Sequence, residues 1–425
     1  MNENRILKTL AIRPFLFLVL AEIFSQIAVN IFNFVIIILV FTISSSNTAV
    51  AGSILSFTIP QLLFGLLAGV YVDRWNKKKV LYASNFLRAL LILPLVFFHS
   101  NLFLVYFLTF SISLVSQFII PAETPMIPVV VEKQLLLSAN AIFGMVIYSS
   151  IFIAYAVSGP LLILLGPTFT FALLVLCFLL AAFSATFIEI KTKIQRKLMD
   201  IERFRISFGD EIRNVVNFFR KAQVIYQALF LLTLSQILIL VLAAVGPGYA
   251  EQIVRIKVEE FPLFFVTPAV IGAAICAVIL GSFFHKHPKS KLTKIGLLLL
   301  GLSVLILPYG SKVESRTFVH TINSYLPHTF QINILHIMVV LAFVMGIANS
   351  LIFVPSNTIL QEKTLEQFRG KVYGALNTMV GLFSLLPILI VGGLADLFGI
   401  KGVLTGIGIM ILLIDLSIWL LDKKR

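Results

Sequence analysis

Twelve apolar runs, most of about 20 residues or more, leave this chain few ways to fold. They lie at roughly 14–43, 48–72, 80–98, 102–120, 135–165, 167–189, 223–250, 261–284, 292–309, 330–355, 371–395 and 401–421. A helix rising 1.5 Å per residue needs about 20 such residues to cross a hydrocarbon layer of about 30 Å. None of the runs alternates apolar and polar residues as a membrane-barrel strand does, so each predicts a helix. Hydrophobic residues make up 59% of the chain and charged residues 12%. Soluble domains carry roughly twice that share of charge, and this chain could not cover itself with a water-compatible surface. The sequence therefore predicts an all-α membrane protein with twelve transmembrane helices. No short apolar segment with a small-residue cleavage site precedes the first run, which is expected to remain as a span.

The formal net charge of +14 sits almost wholly between the runs. Twelve spans put both termini on one side; 27 of the 33 Lys and Arg residues fall on that side, five on the other, and Arg88 lies within a span. Basic loops stay cytoplasmic, so both termini and the connection at 190–222 are expected in the cytoplasm. The charge reads as an orientation signal and not as a nucleic-acid surface. Cys177 and Cys276 fall inside runs, without metal-ligand spacing, and read as packing residues. No Gly-x-x-x-x-Gly-Lys-Ser/Thr loop occurs, which argues against ATP-driven pumping by this chain alone. An enzyme, a metal site and a cofactor are not expected.

The long charged stretch from about Lys191 to Ala222 divides the runs six and six. The expected plan is an N-terminal bundle at 1–190, a cytoplasmic linker at 191–222 and a C-terminal bundle at 223–425. Within the linker, Phe208, Ile212, Val215, Val216 and Phe219 share one helical face, which predicts an amphipathic helix resting on the membrane surface. The halves also echo one another. Asp73-Arg74-Trp75-Asn76-Lys77-Lys78 after the second run matches His285-Lys286-His287-Pro288-Lys289-Ser290 after the eighth, each four residues beyond a glycine, Gly69 or Gly281. Two pseudo-symmetric six-helix bundles with a binding site at their interface form a transporter plan.

Polar residues at membrane depth are the candidate site. Glu22, Gln26 and Asn30 are spaced i, i+4 and i+8 and share one stripe of the first helix. Counted from Pro14, Glu22 lies about 12 Å along that helix. An ionised carboxylate there is costly, so Glu22 should face a cavity or a partner and carry a proton part of the time. It reads as a proton-coupling or cation-recognising acid, or as a structural acid paired with Arg88. Arg88, about two turns into the third span, reads as a pairing or snorkelling residue or as a solute contact. Gln117, Gln236, Asn349, Asn357 and Asn377 are interhelical hydrogen bonds or cavity lining; Asn377 joins the candidate solute contacts.

Several short motifs carry a family resemblance. Gly69-Val70-Tyr71-Val72-Asp73-Arg74-Trp75-Asn76-Lys77-Lys78-Lys79 resembles the loop signature of the major facilitator superfamily, Gly-x-x-x-Asp-Arg-x-Gly-Arg-Arg, with Asn76 in place of a glycine and lysines in place of arginines. Ser158-Gly159-Pro160 resembles the Gly-Pro core of its antiporter signature, although Leu161-Leu162-Ile163-Leu164 replaces the x-x-Gly-Gly that follows there. The family's span-four arginine is missing between Ser111 and Gln117. Leu360-Gln361-Glu362, then Phe368-Arg369-Gly370-Lys371-Val372-Tyr373-Gly374, resembles a signature of the branch holding macrolide-efflux proteins and enterobactin exporters. Asn85-Phe86-Leu87-Arg88-Ala89 resembles that branch's Asp-Leu-Leu-Arg-Ala.

The resemblance implies a monomeric secondary transporter of the bacterial-type plasma membrane. It would export a small amphipathic or hydrophobic solute by alternating access, driven by inward proton flow. It also implies a conformational latch formed by Gly69, Asp73, Arg74 and Glu123. If the halves pack as in the family, Asp73 meets the N-terminus of span eleven, a contact worth about 0.3–1 kcal/mol and up to about 2 when partly buried, and Arg74 is available to Glu123. A proton-independent facilitator of lysolipids or other lipid-like solutes fits the same residues. A non-transporting receptor or assembly factor would want a folded outer domain, for which the loop at about 310–329 is short.

Overall fold

The computed structural model describes residues 5–189, 223–283, 288–310, 333–363 and 366–423, which are helical almost throughout, with no strand among them. We number the long helices in chain order: α1 Arg13–Ser44, α2 Asn47–Arg74, α3 Lys77–Phe98 and α4 Leu102–Ser116. Leu136–Thr186 is one run bent at Gly166, and its limbs are α5, to residue 165, and α6, from residue 167. Then come α7 Gln223–Tyr249, α8 Thr267–Phe283, α9 Lys289–Ile306, α10 Ile334–Lys363, α11 Glu366–Phe398 and α12 Ile400–Lys423. Among the described residues, eleven helical segments are long and apolar enough to cross a membrane; in α5 the apolar stretch Ile142–Ala154 is shorter. The protein is thus the all-α membrane protein its runs predict. The amphipathic helix expected in the linker and the motif at His285–His287 lie outside the described residues.

Local chemistry sets the boundaries. Only Trp75 and Asn76 separate α2 from α3, and Asn76 caps α3 by accepting a 3.2 Å hydrogen bond from the Lys79 amide. Asn101 caps α4 in the same way through Leu104, at 3.1 Å. Gly166 and Gly399 turn the chain at φ values of 70° and 78°, which glycine adopts without steric penalty. Span four departs from expectation. Instead of ending near Pro121, its helical path runs on through Ile119–Glu123, Thr124–Met126 and Ile127–Val130. Pro125 and Pro128 each open a fresh turn, where no amide donor is needed, so the prolines redirect the path without ending it. That extension carries Glu123 into the interior.

The chain divides into two compact units, residues 1–43 with 52–201 and residues 44–51 with 202–425. In the first, α3 packs along the α5–α6 run. Phe15, Leu18, Val72, Leu81, Ile119 and Met126 close a core beside it, with the Phe15 and Phe143 rings 5.9 Å apart. In the second unit, glycines let α8 and α10 touch backbone to backbone: a Cβ on Gly346 would strike the Ala269 carbonyl, and one on Gly272 the Phe343 carbonyl. The second unit also holds the start of α2. The Asp396 carboxylate at the end of α11 accepts hydrogen bonds from the Asn47 and Thr48 amides (2.8 and 2.9 Å), Asn47 Nδ2 (2.9 Å) and the Ser46 and Thr48 hydroxyls (both 2.7 Å). Elsewhere large apolar side chains point outward, as a lipid-facing surface requires; Phe103 is 79% exposed and Leu164 80%.

Candidate functional site

The first unit buries a charged cluster contributed by α1, α3 and the extension of α4. Glu22, Arg88 and Glu123 are 2%, 3% and 5% exposed, so water screens none of them. Arg88 Nη1 donates to the Ser25 hydroxyl at 2.9 Å and, more weakly, to Asn85 Oδ1 at 3.5 Å. Its guanidinium carbon lies 5.3 Å from the centre of the Phe178 ring of α6, a cation–π contact that gains strength where water is excluded. The i, i+3 spacing of Asn85 and Arg88, and of Glu22 and Ser25, puts each pair on one helical face. Arg88 therefore turns inward instead of reaching back to the interface.

Glu123 interacts with Glu22 and with Arg88, and Arg88 in turn with both carboxyl groups. Among the described residues, Glu22 Oε2 and Arg88 Nε have no hydrogen-bond partner. Two carboxylates and one guanidinium leave one negative charge in excess. Two like charges about 4 Å apart repel by about 4 kcal/mol at an effective dielectric of about 20. One proton on either carboxyl removes the excess and turns the contact between the acids into a hydrogen bond.

From Glu22 the polar stripe continues along α1. Gln26 Nε2 donates to Glu22 Oε1 at 2.9 Å, and Asn30 Nδ2 donates to the Gln26 carbonyl at 2.8 Å and to its Oε1 at 3.4 Å. Gln26 and Asn30 are half-buried. Asn377 lies on α11 and Gly69, Asp73 and Arg74 on the last turns of α2, but the side chains of Asn377, Asp73 and Arg74 are outside the described residues. Glu123, expected beside Arg74, belongs to the buried cluster. Asn349 serves as glue, accepting a 2.6 Å hydrogen bond from Ser235 between α7 and α10. Glu362 accepts from Lys289 Nζ at the start of α9.

Sequence reasoning missed the company that Glu123 keeps, because three nearby prolines suggested a loop. It also passed over Asp396. The available signal was the run Ser44-Ser45-Ser46-Asn47-Thr48, a cluster of capping residues before α2.

Residues 18–326 match the model of the Major Facilitator Superfamily. The uncharacterized transporters YfiS and YvqJ of Bacillus subtilis (strain 168), both described as MFS-type, are 22% and 23% identical to this chain over 375 and 370 residues. The first comparison covers 87% of this chain and 83% of YfiS, and the second 86% and 82% of YvqJ. A crystal structure of a mutant of the nucleoside transporter NupG superposes with a TM-score of 0.73 at 10% identity, over 95% of this chain and 99% of that one. At that identity the likeness concerns the fold.

Proposed function

We propose that this chain, which belongs to the major facilitator superfamily, is a proton-coupled exporter of a small amphipathic or hydrophobic solute. It works by alternating access, as a monomer, in a plasma membrane of bacterial type with both termini cytoplasmic. The observation that carries the reading is the buried Glu22–Arg88–Glu123 cluster. Ionisable groups at membrane depth are expensive and mark proton or ion paths. With both acids almost fully shielded, the occupant that fits between them is a proton and not a solute. Taking up and losing that proton changes the attraction among α1, α3 and the α4 extension, and so favours different arrangements of them.

Gln26 and Asn30, half-buried on the same stripe, and Asn377 on α11 are the proposed solute contacts. Gly69, Asp73 and Arg74 are the proposed latch on the cytoplasmic side, with Glu123 now assigned to the proton site. Export as the direction rests on the resemblance of the Glu362 and Arg88 segments to the efflux branch. The test uses purified protein in phospholipid vesicles, ethidium as the amphipathic probe and an imposed pH gradient. Ethidium movement should follow the gradient and lose that dependence in Glu22→Gln. Movement indifferent to the gradient in the parent protein would favour the facilitator reading.

A further inference from the structure

Beside the short turn between α2 and α3, where three lysines open α3, lies an open groove of about 590 Å³ in the first unit. One wall is the α3 stripe that includes Lys79, Ala83 and Leu87; Trp75 and Phe118 roof one end and Val115 closes the far side. Two small residues, Ala83 and Ser84, lie in its wall. The roof is firm: the Trp75 and Phe118 rings stack with centres 5.9 Å apart and an interplanar angle of 12°. From Asn76 to Leu87 the groove runs about 16 Å along α3 at 1.5 Å per residue. That spans a headgroup and the upper part of an acyl chain.

We propose that this groove binds one anionic phospholipid, its phosphate against Lys79 and an acyl chain laid over Ala83 and Leu87. Three features select that occupant. Lys79 is exposed at the polar end, Lys77 and Lys78 precede it, and no acidic side chain lines the groove among the described residues. Beyond Lys79 the lining is Val80, Ala83, Ser84, Leu87 and Val115, all but one apolar, on helices long and apolar enough to cross a membrane. Trp75 is 51% exposed, an amphipathic ring of the kind found at headgroup level. Basic pockets between spans on the cytoplasmic side hold anionic headgroups in this way. The assignment to the cytoplasmic leaflet rests on the orientation proposed above; binding in vesicles does not.

The chain has two tryptophans, so each can report on its own lipid neighbours. Trp419→Phe protein leaves Trp75 as the sole reporter, and Trp75→Phe leaves Trp419, 49% exposed on α12 beside the basic C-terminus, as a reporter away from Lys79. Each is reconstituted in dioleoyl phosphatidylcholine vesicles containing brominated phosphatidylglycerol or brominated phosphatidylcholine, and quenching gives the relative association constant. At Trp75 the anionic lipid should be favoured by about five-fold, the contribution expected from one lysine near a charged headgroup. Lys79→Gln should bring the ratio close to one at Trp75 and leave the Trp419 ratio unchanged. Ala83→Leu, which fills the hollow, should reduce quenching of Trp75 by both lipids. Glycerophosphoglycerol, the headgroup without chains, should not compete. Equal quenching by the two lipids at Trp75, a preference that survives Lys79→Gln, an equal change at Trp419, or competition by the chainless headgroup would overturn the proposal. Each readout is independent of solute transport and of the buried proton site.

Discussion

Replacing Asp396 with alanine should free the start of α2 from the end of α11. The carboxylate accepts five hydrogen bonds from Ser46, Asn47 and Thr48, and it is the acceptor for the Asn47 and Thr48 amides that begin α2. Both Asp396 and Thr48 are exposed, so water replaces part of what is lost and the effect stays on the scale of a helix cap. Losing a cap costs about 0.5–2 kcal/mol, and losing a negative charge at a helix N-terminus about 0.3–1 kcal/mol. The sum, about 1–3 kcal/mol, raises the population with this segment open by about 5- to 150-fold. Val50, fully buried one turn into α2, is a suitable reporter. With Cys177 and Cys276 changed to serine and Val50 to cysteine, the rate of modification by a membrane-impermeant maleimide measures opening. Asp396→Ala should raise that rate at least five-fold, with Asp396→Asn in between. An unchanged rate would refute the argument that this carboxylate holds the segment.

Other substitutions test other parts of the account. Arg88→Met leaves Glu22 and Glu123 buried without their cation and should destabilise the protein by about 3–5 kcal/mol, seen as a lower melting temperature in detergent; adding Glu22→Gln and Glu123→Gln should recover most of the loss. Gly346→Ala forces α10 away from the Ala269 carbonyl and should cost about 1–3 kcal/mol, whereas Gly393→Ala, whose new methyl group would meet nothing beyond its own helix, should keep thermal stability or raise it by up to about 1 kcal/mol. Lys289→Ala removes an ion pair whose side chains are 28% and 55% exposed and should shift stability by under about 1 kcal/mol.

The helices were legible because hydropathy acts at the scale of whole segments: about 20 apolar residues force the same outcome whatever their order. Glu22 was legible too, since a carboxylate eight residues after Pro14 has nowhere cheap to go. What it meets was not. Contact between Glu22 and Glu123 depends on a path that continues past Pro121, which sits inside the helix Ile119–Glu123 without ending it, and a proline in sequence does not say whether it will end a helix or only redirect it. Arg88 presented the same difficulty, because a long side chain two turns from the interface can reach either way; Ser25, Asn85 and Phe178 settle its direction, and two of those come from other helices. Asp396 went unread because its ligands lie about 350 residues earlier in the chain.

The central claim is that Glu22 and Glu123 together hold one exchangeable proton. Infrared difference spectra of the reconstituted protein between acid and alkaline pH measure this directly through the carbonyl stretch of a protonated carboxyl group. Beside the bands of exposed carboxyl groups that also protonate in acid, the account predicts a band from a water-shielded carboxyl group in the parent protein, lost in Glu22→Gln and equally in Glu123→Gln, because either change leaves a single carboxylate balanced by Arg88. A water-shielded band that survives one of the two substitutions, or none in the parent at any pH, would contradict it.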